Sequence, residues 1–382
     1  MEKLLKILKD IVKIPSYFDD NHNEKELINY ILEFFKKRTK YNCVVQNVEG
    51  ERKNILVYKK SNPKIALFGH LDTVLPKVGT LNPLKPRIEG DKIYGLGSVD
   101  MKSGLAIMLD LATEIENDEL SFVFSVDEEY EFKGALKLRE YKNFNPKFII
   151  NIEPTDNKIL NGCRGITEFS FTAHGKSVHA GRKSFGINAI EKSVELIKLF
   201  QEELTKLDLL GSGQTSVNLA YLYGGTLKSV KNGNPEISGL GMVVPNYAEV
   251  NCEIRVANPK ITKKFIQEKI KQIAKKIKLK TDNFKFKFYL GSMITPKSEL
   301  KQFEKAIVES GEKADYADIS LSGYYEVQLL QEKWKSKSVI FGPGPINLSH
   351  SVDEYAQISS INKTKYILEK YITNNIGNKH RR

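Results

Sequence analysis

Apolar runs of β type recur through the first half of the chain, and each closes on acidic or histidine residues. "IALFGH" ends on His70, "SFVFSVDEE" on Asp127, Glu128 and Glu129, and "FIINIEP" reaches Glu153. Downstream, "SVIFGPGPINLSH" passes through a Gly/Pro loop to His350. Between these runs the period changes to that of helices. "MKSGLAIMLDLATEIE" puts Leu105, Met108, Leu109 and Ala112 on one face, and "MEKLLKILKDIVKIP" spaces Leu4, Leu5, Ile7, Leu8, Ile11 and Val12 as an amphipathic helix. Strands alternating with helices predict an α/β sheet covered on both sides. Ligands of such sheets bind at the carboxyl ends of the strands. Four strands are therefore expected to deliver His70, Glu128/Glu129, Glu153 and His350 to one rim.

The 382 residues exceed the usual size for a single core, so two domains are expected. No apolar run approaches the roughly 20 residues needed to span a bilayer. The amphipathic N-terminus does not read as a secretory segment. Three cysteines, Cys43, Cys163 and Cys252, are too few for a disulfide framework, and a cytoplasmic protein without a membrane partner is expected. The balance of 59 basic against 47 acidic residues gives a net charge of +12. The densest basic stretch, "ITKKFIQEKIKQIAKKIKLK", keeps Phe265, Ile270, Ile273 and Ile277 at helical spacing, so its lysines read as a solvated helix face. With neither a zinc finger nor an aromatic-plus-basic RNA motif, nucleic acid is not an expected partner.

A further element, "IYGLGSVDMKSG", places Asp100 after a Gly-x-Gly turn and just before a helix. Asp100 alone reads equally as an N-cap, and His70 alone as a turn residue. Taken together, His70, Asp100, Glu129, Glu153 and His350 make five oxygen or nitrogen donors. If Asp100 bridges, each of two divalent ions receives three ligands. Imidazole and carboxylate without thiolate suit zinc, with cobalt or manganese as replacements. Asp72 is then placed to receive the second ring N–H of His70 and fix its tautomer. No G-x-S-x-G elbow supports serine catalysis.

"GHLDTV", "YGLGSVDMKSG", "VDEE", "EPT", "GKSVHAG" and "HSVDEY" occur in the order and approximate spacing of the dizinc aminoacylase family. The chain resembles that family over nearly its whole length. The family includes acetylornithine deacetylase, succinyl-diaminopimelate desuccinylase, dipeptidases and glutamate carboxypeptidases. The resemblance implies that Glu128 is the general base and that His70, Asp100, Glu129, Glu153 and His350 hold two metals, Asp100 bridging. It also implies a zinc-peptidase-like α/β catalytic domain, 1–164 and 294–382, interrupted by an inserted ferredoxin-like α+β dimerisation (lid) domain, 165–293. The pattern there agrees, since strands and helices alternate from "GITEFSFTAHG" to "FKFKFYL" in βαββαβ order. In relatives the insert forms a homodimer and lends a histidine to the neighbouring site, which matches His179. Asn218 and Arg255 match substrate contacts, Arg255 gripping a carboxylate. From the residues alone, His179 reads as a turn residue and Arg255 as a surface pair. Gly224 and Gly225 read as a tight turn. One departure is "EEYEFKGA", where Tyr130 and Glu131 follow the paired glutamates in place of a small residue. The implied chemistry is hydrolysis of the amide of an N-acyl amino acid by metal-activated water. Glu128 carries its proton to the leaving amine, and His179 donates to the oxyanion. A dipeptidase or carboxypeptidase is the alternative within hydrolases, and a metal-free binding or scaffold relative is the alternative outside them.

Overall fold

The computed structural model describes residues 2–208, 213–231 and 234–377. The chain divides into two compact units. The first comprises Met1–Gly162, Thr295–Ala317 and Tyr325–Arg382, the second Cys163–Ile294 and Asp318–Tyr324.

In the first unit, six strands among the described residues form one mixed sheet. Their spatial order is Asn42–Glu49, Arg52–Tyr58, Leu120–Ser125, Ile65–His70, Phe148–Asn151 and Lys337–Ile340. The first two make an antiparallel hairpin, and the last four run parallel. Both Leu120–Ser125 and Ile65–His70 are buried at every position, as a parallel sheet covered on both faces requires. The helix Lys102–Glu114 is buried along almost its whole length, not on one stripe. Besides Leu105, Met108, Leu109 and Ala112, it sinks Ala106, Ile107 and Leu111 into the core. Helices Glu2–Val12, Lys25–Arg38 and Ile358–Ile376 pack around it, which is why its outer side also had to be apolar. Register then fixes the rim. His70 lies opposite Ser125, and Phe68 opposite Asn151, so the strand ends open at one edge.

The second unit is a sheet of five described strands, all antiparallel, ordered Asn234–Ser238, Ser216–Lys231, Tyr247–Val256, Gly165–His174 and Lys280–Leu290. Helices Ala189–Thr205 and Lys263–Lys276 bury Leu196, Phe200, Ile266, Ile270 and Ile273 against Phe169, Val250, Cys252 and Ile254. Asn188 caps the first helix, its side chain accepting from Ile190 N and Glu191 N at 3.0 and 3.2 Å. Thr262 caps the second at 3.2 Å through Phe265 N.

Three expectations are corrected here. The buried face of the basic helix runs through Ile266 and Ala274, with Phe265 and Ile277 only partly covered. Ile266 stands in line with Ile270 and Ile273 at helical spacing, and Phe265 lies to one side of that line. Gly224 and Gly225 lie inside the strand Ser216–Lys231, which continues into a hairpin with Asn234–Ser238. There the absence of a side chain allows close approach, since a Cβ on Gly224 would meet the Tyr247 carbonyl at 2.7 Å. Asp318–Tyr324, expected with the catalytic part, groups with the second unit, because Ile319 and Ser320 pack onto Gly213. Cys43, Cys163 and Cys252 form no disulfide among the described residues, and no described helix is long and apolar enough to cross a membrane.

Candidate metal centre

His70 closes its strand and is fully buried. Its Nε2 lies 3.1 Å from Asp100 Oδ1 and 3.4 Å from Glu153 Oε1. On the opposite side, His350 Nε2 lies 3.4 Å from Asp100 Oδ2 and 2.9 Å from Glu129 Oε1. Each oxygen of Asp100 thus faces a different histidine. Two donor sets result, one of His70, Asp100 and Glu153 and one of Asp100, Glu129 and His350, each with its ligand atoms within 4.8 Å of one another. Glu128 also comes within this distance of His70 and Glu129.

Local structure explains the presentation. The helix after Asp100 begins at Lys102 with Met101 as its N-cap residue, so the Asp100 side chain is not spent on capping. The preceding turn needs Gly97 at φ 75°, where a Cβ would also strike Thr73 Cγ2 at 2.6 Å. Asp127 and His350 themselves adopt positive φ, 72° and 60°, bending the chain beside the ligands.

The role expected of Asp72 changes. The nearest acceptor to His70 Nδ1 is the main-chain carbonyl of Asp72, at 3.0 Å, while the carboxylate stands 3.6 Å away. That carboxylate is engaged elsewhere, accepting from Glu128 N at 3.1 Å and Glu129 N at 2.9 Å. The backbone of Asp72 orients the histidine, and its side chain holds the turn bearing both glutamates.

The electrostatics suit a cation. Asp72, Asp100, Glu128, Glu129 and Glu153 crowd around two imidazoles, and burying this much like charge is costly unless it is neutralised. Burial and then the Asp100 charge push Glu153 up to about 7, against the pull of His70. Burial first, then Glu153 and Glu129, raises Glu128 well above the carboxylate range. Hydrogen bonds to Asp100 and Glu129 raise His350 to about 10. The surrounding carboxylates shift both histidines towards the protonated form, a sign of the surplus negative charge that a bound cation would neutralise.

The sequence profile of peptidase family M20/M25/M40 matches residues 66–374. The chain belongs to this family. It is a metallohydrolase of the kind that acts on amide bonds. Among relatives, it is 26% identical over 388 residues to the acetylornithine deacetylase of Buchnera aphidicola subsp. Schizaphis graminum, covering 97% of both chains. It is 28% identical over 407 residues to a Staphylococcus aureus protein named "Probable succinyl-diaminopimelate desuccinylase", covering 96% of this chain and 94% of that one. In structure it is similar to the Bacillus subtilis YXEP protein, described as a dinuclear metal binding peptidase from the M20 family. That similarity has a TM-score of 0.66 at 15% identity, covering 99% of this chain and 98% of that one.

In this M20 protein the fold also buries charged residues that pattern reading passed over. Glu326 is fully buried, its Oε2 accepting from Ser125 Oγ at 2.6 Å, and burial raises its carboxyl well above the usual range. Arg52 pairs with Glu24 and with Asp127, the residue before Glu128. Neither carried a motif, because a lone Glu before a helix and a lone Arg in a strand look like surface residues. Tyr130 stands beside the glutamates with its hydroxyl 3.3 Å from Phe18 N, the two rings edge to face. His179, Asn218 and Arg255 belong to the second unit. The exposed His179 accepts from Gly181 N at Nδ1, 3.1 Å, which leaves Nε2 as the protonated, donating nitrogen. Pairing of Asn218 opposite Glu253 and of Ser216 opposite Arg255 puts these side chains on the sheet face away from the two helices. Arg255 Nε donates to Glu253 at 2.8 Å, and its guanidinium lies 5.6 Å from the Tyr324 ring.

Proposed function

We propose that the protein removes the acyl group from an N-acyl amino acid, in the manner of an acetylornithine deacetylase or succinyl-diaminopimelate desuccinylase. Two divalent ions, zinc with cobalt or manganese as replacements, would be held by His70, Asp100, Glu129, Glu153 and His350. The observation that carries this reading is the split of the Asp100 carboxylate between His70 and His350, at 3.1 and 3.4 Å. The donor set fits, being all imidazole and carboxylate with negative charge in excess, His70, Asp100 and Glu153 buried and Glu129 and His350 partly so. Bound there, the ions would polarise the amide carbonyl and acidify a water.

The chain's own groups do the rest. Glu128 would take up a proton and return it to the leaving amine. Asp72 holds the turn that carries Glu128 and Glu129 by accepting from both main-chain N–H groups. His179 Nε2 would donate to the developing oxyanion, and Asn218 and Arg255 would hold the substrate, the arginine turning from Glu253 to a substrate carboxylate. The second unit would serve as the homodimer interface and lid. A dipeptidase or carboxypeptidase is the second reading, supported by the peptidase description of the Bacillus subtilis neighbour. A metal-free scaffold is disfavoured by the complete donor set. Assays of acetylornithine, succinyl-diaminopimelate and a dipeptide panel, with metal analysis of the same preparation, test these readings. Hydrolysis of dipeptides alone would reject the deacylase, and absence of metal would reject the mechanism.

A further inference from the structure

The loop of residues 95–100 presents the shared carboxylate, yet it belongs to no strand or helix. Three of its main-chain donors converge instead on a single side chain. Glu354 Oε2 accepts from Gly97 N at 2.9 Å, and Oε1 accepts from Val99 N at 2.8 Å and Asp100 N at 3.1 Å. Gly95 N reaches the Glu354 carbonyl at 3.3 Å. The side chain is almost wholly buried, and it comes from the far end of the sequence. Its own place is set from two directions. His350 precedes it by four positions. The strand after it, Tyr355–Gln357, pairs with Lys92–Tyr94, which leads into the same loop. Glu354 sits where the loop of one ligand meets the loop of the other.

We propose that Glu354 is a positioning residue that fixes Asp100 and His350 as one unit, so that both metal positions depend on it. The inference rests on the metal-centre reading above. The physical case is that a charged acceptor makes strong bonds to N–H groups, and these donors have no sheet or helix partner to replace it. Without the carboxylate the segment of residues 97–100 loses three of its hydrogen bonds, and the bridging oxygens lose their aim at the two histidines. Partners of this kind, one shell behind the ligands, typically control metal affinity by 10–100-fold. Glutamine is the informative replacement, because it keeps the size but sets an amide NH₂ against backbone N–H donors.

The test is zinc affinity of the full-length chain, stripped with chelator and then titrated in competition with a chromophoric chelator. Glu354→Gln should bind zinc about 10–100-fold more weakly at both positions. Affinities within twofold of the parent would overturn the proposal. So would a lowered melting temperature with unchanged zinc affinity, since that is the mark of a purely structural role. If Glu354→Gln does not fold, Glu354→Asp takes its place. It keeps the charge but is too short for all three donors, and the same weakening is required of it. Asp100→Asn is the control for the underlying reading. If it binds zinc like the parent, the metal centre itself is misassigned, whatever Glu354 does. If it loses zinc while the Glu354 variants do not, only the positioning role falls.

Discussion

Replacing Arg52 with methionine should destabilise the first unit by a large fraction of its total stability. The guanidinium donates to Glu24 through Nε at 2.8 Å and Nη2 at 2.6 Å, and to Asp127 through Nη1 at 2.5 Å. The side chains of Arg52, Glu24 and Asp127 are 4%, 0% and 2% exposed, so water cannot substitute for a lost partner. Methionine preserves the stem beneath Phe18, whose ring lies 4.6 Å from the guanidinium carbon, but leaves two buried carboxylates without a cation. Breaking a buried pair from one side costs about 3–5 kcal/mol. Whole-domain stabilities are only about 5–15 kcal/mol. At a urea slope of about 3 kcal/mol/M, the midpoint should fall by roughly 1 M or more. Trp334 is the only tryptophan and is buried in the first unit, so its fluorescence follows that unit alone. Arg52→Lys should fall between, since one ammonium cannot serve both carboxylates with a fork. Adding Glu24→Gln to Arg52→Met should recover part of the loss by removing one orphaned charge. A midpoint shift under about 0.2 M for Arg52→Met would refute the reasoning.

Glu128→Ala should lose roughly 10²–10⁴-fold in kcat while metal analysis still finds two ions per chain; loss of one ion would instead make Glu128 a ligand. His179→Ala and Glu128→Ala proteins, each nearly inactive, should regain activity when mixed after partial dissociation. No recovery despite demonstrated subunit exchange would show that His179 does not act across a dimer. The parent enzyme should prefer a free carboxylate over the corresponding amide, because an amide would leave Arg255 poorly paired at a cost on the order of 2–5 kcal/mol if the contact is buried. Arg255→Lys should narrow that preference in kcat/KM, and equal efficiency on acid and amide in both proteins would remove Arg255 from the clamp.

The α/β class was legible in the sequence because it depends on periodicity, and periodicity is a local property. Buried parallel strands read as continuous apolar runs, and helices repeat every three to four residues. His70, Glu129, Glu153 and His350 drew notice as donors because each follows an apolar run, and the fold brings them together with Asp100 in two donor sets. Tertiary structure decided which atom faces which. That Asp100 divides between two histidines, and that the Asp72 carboxylate turns to the Glu128 and Glu129 backbone while its carbonyl takes the ring, depends on register between strands. In the basic helix the buried Ile270 and Ile273 were read from spacing, and only the fold showed that Ile266 lies deeper than Phe265. Arg52 and Glu326 carry no signal in the chain around them, and Glu354 stands in "HSVDEY" without showing what it holds. Their partners lie 75, 201 and 254 positions away, and only folding brings a buried charge to the groups that justify burying it.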